Sequence, residues 1–223
     1  MTVKLFFEAI LKFITGVLII ALLIFGSAGT IQYLNGWIFM TTLFGPMFIV
    51  GIIMMFKNPK LLASRLEAKE KQKEQSIVIK LSGLMFIVGF ILAGLDFRFK
   101  WLTIPSSISC IFVIVFLMAY LMWAEVLREN TYLSRTIKVE KNQQVVDTGL
   151  YGIVRHPMYL ATLILFLSMP LLLGSLLAFF VFLCYPVLIS VRIINEEKVL
   201  EAELEGYKEY KKKVKYRLIP FIW

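Results

Sequence analysis

The residues best able to do chemistry lie at the two ends of one long uncharged run. At its front stands Asp147-Thr148-Gly149-Leu150-Tyr151-Gly152-Ile153-Val154-Arg155-His156-Pro157-Met158-Tyr159, which holds the single histidine of the chain, and behind it come Arg192, Glu196 and Glu197. The run itself, Pro157 to Val191, has 35 residues and no formal charge. As one straight helix it would measure about 52 Å against roughly 30 Å of bilayer hydrocarbon, so it should fold back on itself. Gly174-Ser175 is the expected turn, with Pro170 and Pro186 as expected kinks. A hairpin turning there makes His156 and Arg192 neighbours, although they are 36 residues apart in sequence. Arg192 and Glu196 are spaced i, i+4 and share one helix face, which sets an anion clamp and a cation acceptor one turn apart. Each residue alone also has a plain structural reading. Arg155 and Arg192 can be snorkelling anchors, the glutamates a solvated helix segment or partners of Arg192, and His156 a polar residue ahead of a proline that begins a helix. The combination, charged clusters at both feet of one hairpin, is what points to a pocket.

The elements that must position these groups are membrane helices. The chain has 223 residues, 59% of them apolar and 17% charged, against about 45–50% and 25% in soluble domains. The expected class is an all-α, polytopic integral membrane protein of six spans, the last two forming the hairpin. Between Lys12 and Lys57 lie 44 uncharged residues, enough for two spans, interrupted at Gly26-Ser27-Ala28-Gly29-Thr30 and Asn35-Gly36. A cleaved signal peptide competes for the first of these, but the long apolar run that follows favours a retained span. A third span is expected over 77–95 and a fourth over 104–124, joined by a short loop carrying Asp96, Arg98 and Lys100. Residues 1–124 then form an N-terminal four-helix region and 125–223 a C-terminal region of polar loop, hairpin and tail. With both termini on one side, 22 of the 24 Lys and Arg residues share that side and only Arg98 and Lys100 lie opposite, so the positive-inside rule places the N- and C-termini in the cytoplasm.

The net charge of +9 is read as cytoplasmic loops, and nucleic-acid binding is set aside. Cys110 and Cys184 sit inside apolar runs with no CxxC or Cys/His cluster, which supports neither a disulfide framework nor a metal site. The tail places acids early and lysines late, as a helix dipole favours, and should be helical to about Val214. Beyond it, Tyr216, Leu218, Phe221, Ile222 and Trp223 either return to the membrane interface or pack on the helical core.

The string GLYGIVRHPMYLA, the paired glutamates behind the hairpin, and the ending Tyr207-Lys-Glu-Tyr210-Lys-Lys-Lys-Val-Lys-Tyr-Arg-Leu-Ile-Pro220-Phe-Ile resemble the isoprenylcysteine carboxyl methyltransferase family, which is related to membrane phospholipid methyltransferases. The resemblance covers about residues 125–223, and the first four spans carry no matching motif. It implies an integral membrane enzyme that binds S-adenosylmethionine at the cytoplasmic face and methylates a lipid-like acceptor reached from the bilayer. On the matching positions, the cofactor would be held by Gln143, Gln144, Val145 and Val146, by Tyr151, by His156, Pro157, Met158 and Tyr159, and by Glu196. Arg192 would be the catalytic and substrate-binding residue, and no metal is implied. Ala161 departs from the glycine usual after the box, and Val214-Lys215-Tyr216-Arg217 replaces a proline-containing turn. Methyl transfer by in-line displacement needs no covalent intermediate, so positioning and electrostatics carry the rate. A carboxylate acceptor is already ionised and suits the two-pronged arginine, whereas an amine acceptor would need deprotonation.

Three other readings stay beside this one. A phospholipid or amine N-methyltransferase shares the cofactor. A sterol-reductase-like enzyme shares a similar Arg-His-Pro-x-Tyr hairpin but uses a nicotinamide cofactor; the short chain, the Glu-Glu pair and the lack of a Gly-rich dinucleotide fingerprint stand against it. A transporter or lipid-binding scaffold would place ionisable groups near the bilayer midplane, whereas here they lie at span ends.

Overall fold

A computed structural model describes residues 3–66, 73–133, 137, 139 and 141–223. Parts of the two long polar connections, residues 67–72 and 134–136, 138 and 140, lie outside the described residues. Among the described residues the chain is helical and without strands: α1 (Val3–Ala21), α2 (Leu34–Lys57), α3 (Pro59–Leu66), α4 (Lys73–Phe99), α5 (Ser106–Glu129), α6 (Pro157–Leu172), α7 (Leu176–Phe182), α8 (Tyr185–Glu203) and α9 (Tyr207–Lys213). A wide π-type turn, Leu22–Gly26, extends α1, and a tight 3-10 turn, Gly149–Gly152, precedes the histidine box.

Among the described residues, five stretches are long and apolar enough to cross a bilayer: Lys4–Gly26, Leu34–Lys57, Gln75–Phe99, Ser106–Glu129 and Leu176–Glu203. The expected fifth span, the first arm of the hairpin, is the 16-residue α6. At 1.5 Å per residue it reaches about 24 Å, short of the hydrocarbon thickness. The outside of the bundle is apolar, with Phe7, Leu11, Leu18, Leu22, Phe56, Ile114 and Leu121 all exposed, as a lipid solvent requires. Inside, Phe39, Phe90, Phe116 and Phe182 meet at the centre, and α6 packs most extensively on α5 while α4 lies against α7 and α8.

The hairpin turns at Gly174-Ser175, as its length demanded. Gly174 has φ +84, a left-handed conformation that favours glycine, and a Cβ there would stand 2.8 Å from the Asn35 side chain. Ser175 begins α7: its Oγ accepts from Ala178 N at 3.1 Å and donates to Asp96 Oδ2 at 2.5 Å. Asp96 Oδ1 also accepts from Leu102 N at 2.7 Å, while Ile104 N donates to Gly174 O and Leu176 N to Leu102 O. Asp96 and Arg98 therefore do not lie in the expected loop but in the last turn of α4, with Asp96 fully buried as the clamp between that turn and the hairpin. The clamp fixes the turn to the α4–α5 end of the bundle and leaves both feet of the hairpin at the other end.

The second arm is interrupted at Leu183-Cys184, just ahead of Pro186, which has no N–H for the Phe182 carbonyl and stands in the first turn of α8. One further expectation needs correction. The helix expected to run to about Val214 is broken at Leu204–Gly206, so that α9 folds back against α8.

Candidate active site

The 3-10 turn and the first turn of α6 place the box. Gly149, at φ +49, lets Leu150 N donate to Glu129 Oε2 at 3.1 Å, which ties the turn to the end of α5. Tyr151 is then buried: its hydroxyl accepts from Asn130 Nδ2 at 3.1 Å and its carbonyl accepts from the Tyr210 hydroxyl at 2.7 Å. His156 caps α6, its carbonyl accepting from Tyr159 N and Leu160 N, and Pro157 fills the first helical position.

The C-terminal tail closes over this box. Arg155 N donates to Tyr216 O and His156 N to Arg217 O, both at 2.9 Å, and Arg155 Nη1 donates to Val214 O and Lys215 O at 2.7 and 2.8 Å. Val214 and Leu218 are buried, so this part of the tail packs on the core, whereas Phe221 and Ile222 are exposed.

The two glutamates do different work. Glu197 is buried and faces the tail, accepting from Arg155 Nε at 2.7 Å and Arg217 Nε at 2.9 Å, with His156 Nε2 at 3.3 Å and Lys211 Nζ at 3.7 Å. Buried cations persist only when paired and hydrogen-bonded, and this one carboxylate holds box, tail and histidine together. Glu196 faces the other way. It accepts from the Tyr159 hydroxyl, which in turn accepts from Arg192 Nε at 2.9 Å. The Arg192 guanidinium carbon stands 5.9 Å from the centre of the Tyr159 ring, and the His156 ring stacks on the same ring at 5.7 Å between centroids and 25° between planes.

These groups open onto one pocket. Gln143, Gln144, Val145, Val146, Tyr151, His156, Met158, Tyr159, Arg192 and Glu196 all line it. Pro157, the remaining residue of the predicted set, is buried at the helix start and is not part of the wall. The loop that the resemblance assigns to the cofactor thus meets the two feet of the hairpin in space. Residues that the sequence reading did not assign complete the wall: Asn130, Tyr132, Leu133, Ile137, Arg155, Leu200, Leu204, Tyr207 and Tyr210. Leu204, Tyr207, Tyr210 and Val214 form a small apolar cluster with Val139, Val145 and Leu200, and Val145, Leu200, Leu204, Tyr207 and Tyr210 of it line the pocket. The i, i+3 spacing of Tyr207 and Tyr210 was the visible signal for it. Burial pushes the phenols of Tyr151, Tyr207 and Tyr210 well above the usual tyrosine range, so all three remain neutral. The Tyr207 hydroxyl is buried with no hydrogen-bond partner among the described residues. An orphaned donor in a pocket wall is costly without a ligand, and it offers one a hydrogen bond.

Residues 109–202 match the family model of the isoprenylcysteine carboxyl methyltransferase family, which bears out the resemblance over that stretch and supports a membrane methyltransferase. The match takes in α5 from Ser109 onward, the box, the hairpin and both glutamates. The chain is also similar to Delta(14)-sterol reductase of Mus musculus, 36% identical over 91 residues. That region is 40% of this chain and spans only 22% of the relative's length.

Proposed function

We propose that this protein is an S-adenosylmethionine-dependent methyltransferase whose acceptor is lipid-like, foremost the carboxylate of an isoprenylcysteine-type substrate drawn from the bilayer. In this reading the chain crosses the membrane six times with both termini in the cytoplasm, and the pocket lies at the cytoplasmic face. The observation that carries it is the Arg192–Tyr159–Glu196 chain at the wall of the pocket that Gln143 to Val146 also line.

The donor set fits the cofactor. Glu196 suits a cationic portion, the aromatic rings of Tyr151 and Tyr159 suit adenine or a sulfonium, and the apolar side around Leu200 and Leu204 suits a flat ring. The unpartnered Tyr207 hydroxyl adds a polar contact for a ligand to meet. When bound, S-adenosylmethionine supplies a methyl group already activated on sulfur. The chain's own residues then have three tasks. Glu196, held by Tyr159, fixes the cationic end; His156, oriented by Glu197, lies beside the anionic end or the ribose; and Arg192 aligns the acceptor carboxylate through paired hydrogen bonds. No residue has to remove a proton from a carboxylate acceptor, so the catalytic demand is orientation in a site screened from water.

The test is a division of labour. Glu196→Ala should abolish S-adenosylmethionine binding, while Arg192→Ala should bind it and lose turnover; the opposite pattern overturns the assignment. A second reading, a nicotinamide-dependent reductase, is favoured by the similarity to the sterol reductase. It predicts NADPH binding in the same pocket.

A further inference from the structure

The arginine at the centre of the proposed site is held from a part of the chain that the family match does not reach. Gln75 lies near the start of α4, outside residues 109–202, and is completely buried. A buried amide must find partners for its polar atoms, and Gln75 finds them on one residue 117 positions away. Its Oε1 accepts from Arg192 Nη1 at 3.2 Å, and its Nε2 donates to the Arg192 main-chain oxygen at 3.5 Å. One contact holds the tip of the side chain and the other the backbone at its root. From the opposite side, Arg192 Nε donates to the Tyr159 hydroxyl at 2.9 Å. These bonds at Nη1 and Nε fix the plane of the guanidinium, and for bidentate recognition of a carboxylate the plane decides.

We propose that Gln75 is a positioning residue that orients Arg192 for an anionic acceptor group. An amide grips the guanidinium without adding a negative charge, whereas a carboxylate at the same place would compete with the acceptor. The N-terminal helices thereby complete the site as well as anchoring it. The proposal rests on the methyl-transfer reading above.

Two substitutions test it on the full-length chain in detergent, with N-acetyl-S-farnesylcysteine as the acceptor probe. Gln75→Glu is nearly isosteric and sets an anion beside Arg192; Gln75→Leu removes both contacts. Gln75→Glu should raise the acceptor KM about tenfold or more while the S-adenosylmethionine Kd stays within about threefold of the parent. Gln75→Leu should lower kcat/KM for the acceptor with the same small effect on the cofactor, and if it fails to fold, Gln75→Glu carries the test. An unchanged acceptor KM in Gln75→Glu overturns the proposal and leaves the methyltransferase reading intact. Parallel losses of cofactor binding and acceptor KM overturn it in favour of a purely structural role. A parent protein that binds no S-adenosylmethionine, or binds it and does not methylate the probe, overturns the reading and the proposal together.

Discussion

Replacing Glu197 by glutamine removes one charge from the centre of the buried cluster and almost no volume. Arg155, nearly buried, then keeps its charge and loses the anion 2.7 Å away. Deleting one partner of a buried ion pair costs about 3–5 kcal/mol, because the other charge is left uncompensated. Two features of this cluster favour the lower figure. Arg155 retains the carbonyls of Val214 and Lys215 as acceptors, and Arg217, about a third exposed, can turn to water. We therefore expect a loss of about 3 kcal/mol, which for a chain of this size is a fall of about 6–12 °C in melting temperature. Arg155→Met on the Glu197→Gln background removes the orphaned cation, so the double variant should be less destabilised than the sum of the single ones. Thermal unfolding of the parent, both single variants and the double variant in one detergent measures this cycle. A Glu197→Gln protein melting within about 2 °C of the parent, or strict additivity in the cycle, would refute the claim that this carboxylate holds the tail to the box.

Further expectations follow from the same contacts. Tyr159→Phe removes the hydroxyl shared by Glu196 and Arg192; hydrogen bonds to charged groups contribute about 1.5–3 kcal/mol, so S-adenosylmethionine affinity should fall about tenfold or more, and an unchanged Kd would detach Tyr159 from the site. Tyr207→Phe deletes a buried hydroxyl without a partner, so the ligand-free protein should melt at the same or a higher temperature while cofactor binding weakens several-fold; a lower melting temperature with unaltered binding would contradict the role given to it. Gly149→Ala adds a Cβ in the left-handed region, where it would collide with Glu129 Oε1. It should destabilise by about 2 kcal/mol, seen as a drop of about 4–8 °C in melting temperature, and no drop would mean that the turn can move away from α5.

Much of this arrangement was legible because the membrane leaves few solutions. A 35-residue uncharged run cannot cross once, and one Gly-Ser pair at its middle marks the fold-back, so His156 and Arg192 had to meet. Glu196 and Arg192 were legible as a pair because helical geometry puts them on one face. What was not legible depends on helix rotation and on contacts distant in sequence. Adjacent helical residues point about 100° apart, so one of Glu196 and Glu197 had to turn from the pocket, and only the packing of α8 against the tail decides which. Gln75 gave no signal at all, being one uncharged polar residue beside a span with its partner 117 positions away. The burial of Asp96 was likewise hidden, since a carboxylate at a span end reads as a loop residue until the hairpin turn arrives to accept it. The break at Leu204–Gly206, with Gly206 at φ +82, lets Tyr207 and Tyr210 pack with Leu200, a contact that composition does not record.

The central claim is the identity of the cofactor, and equilibrium binding to the detergent-purified protein measures it most directly. S-adenosylmethionine and NADPH, titrated side by side against the parent and against Glu196→Ala, separate the methyltransferase from the reductase. Binding of S-adenosylmethionine alone, lost in the variant, is the expected result. Binding of NADPH instead, or of neither by folded protein, would contradict it.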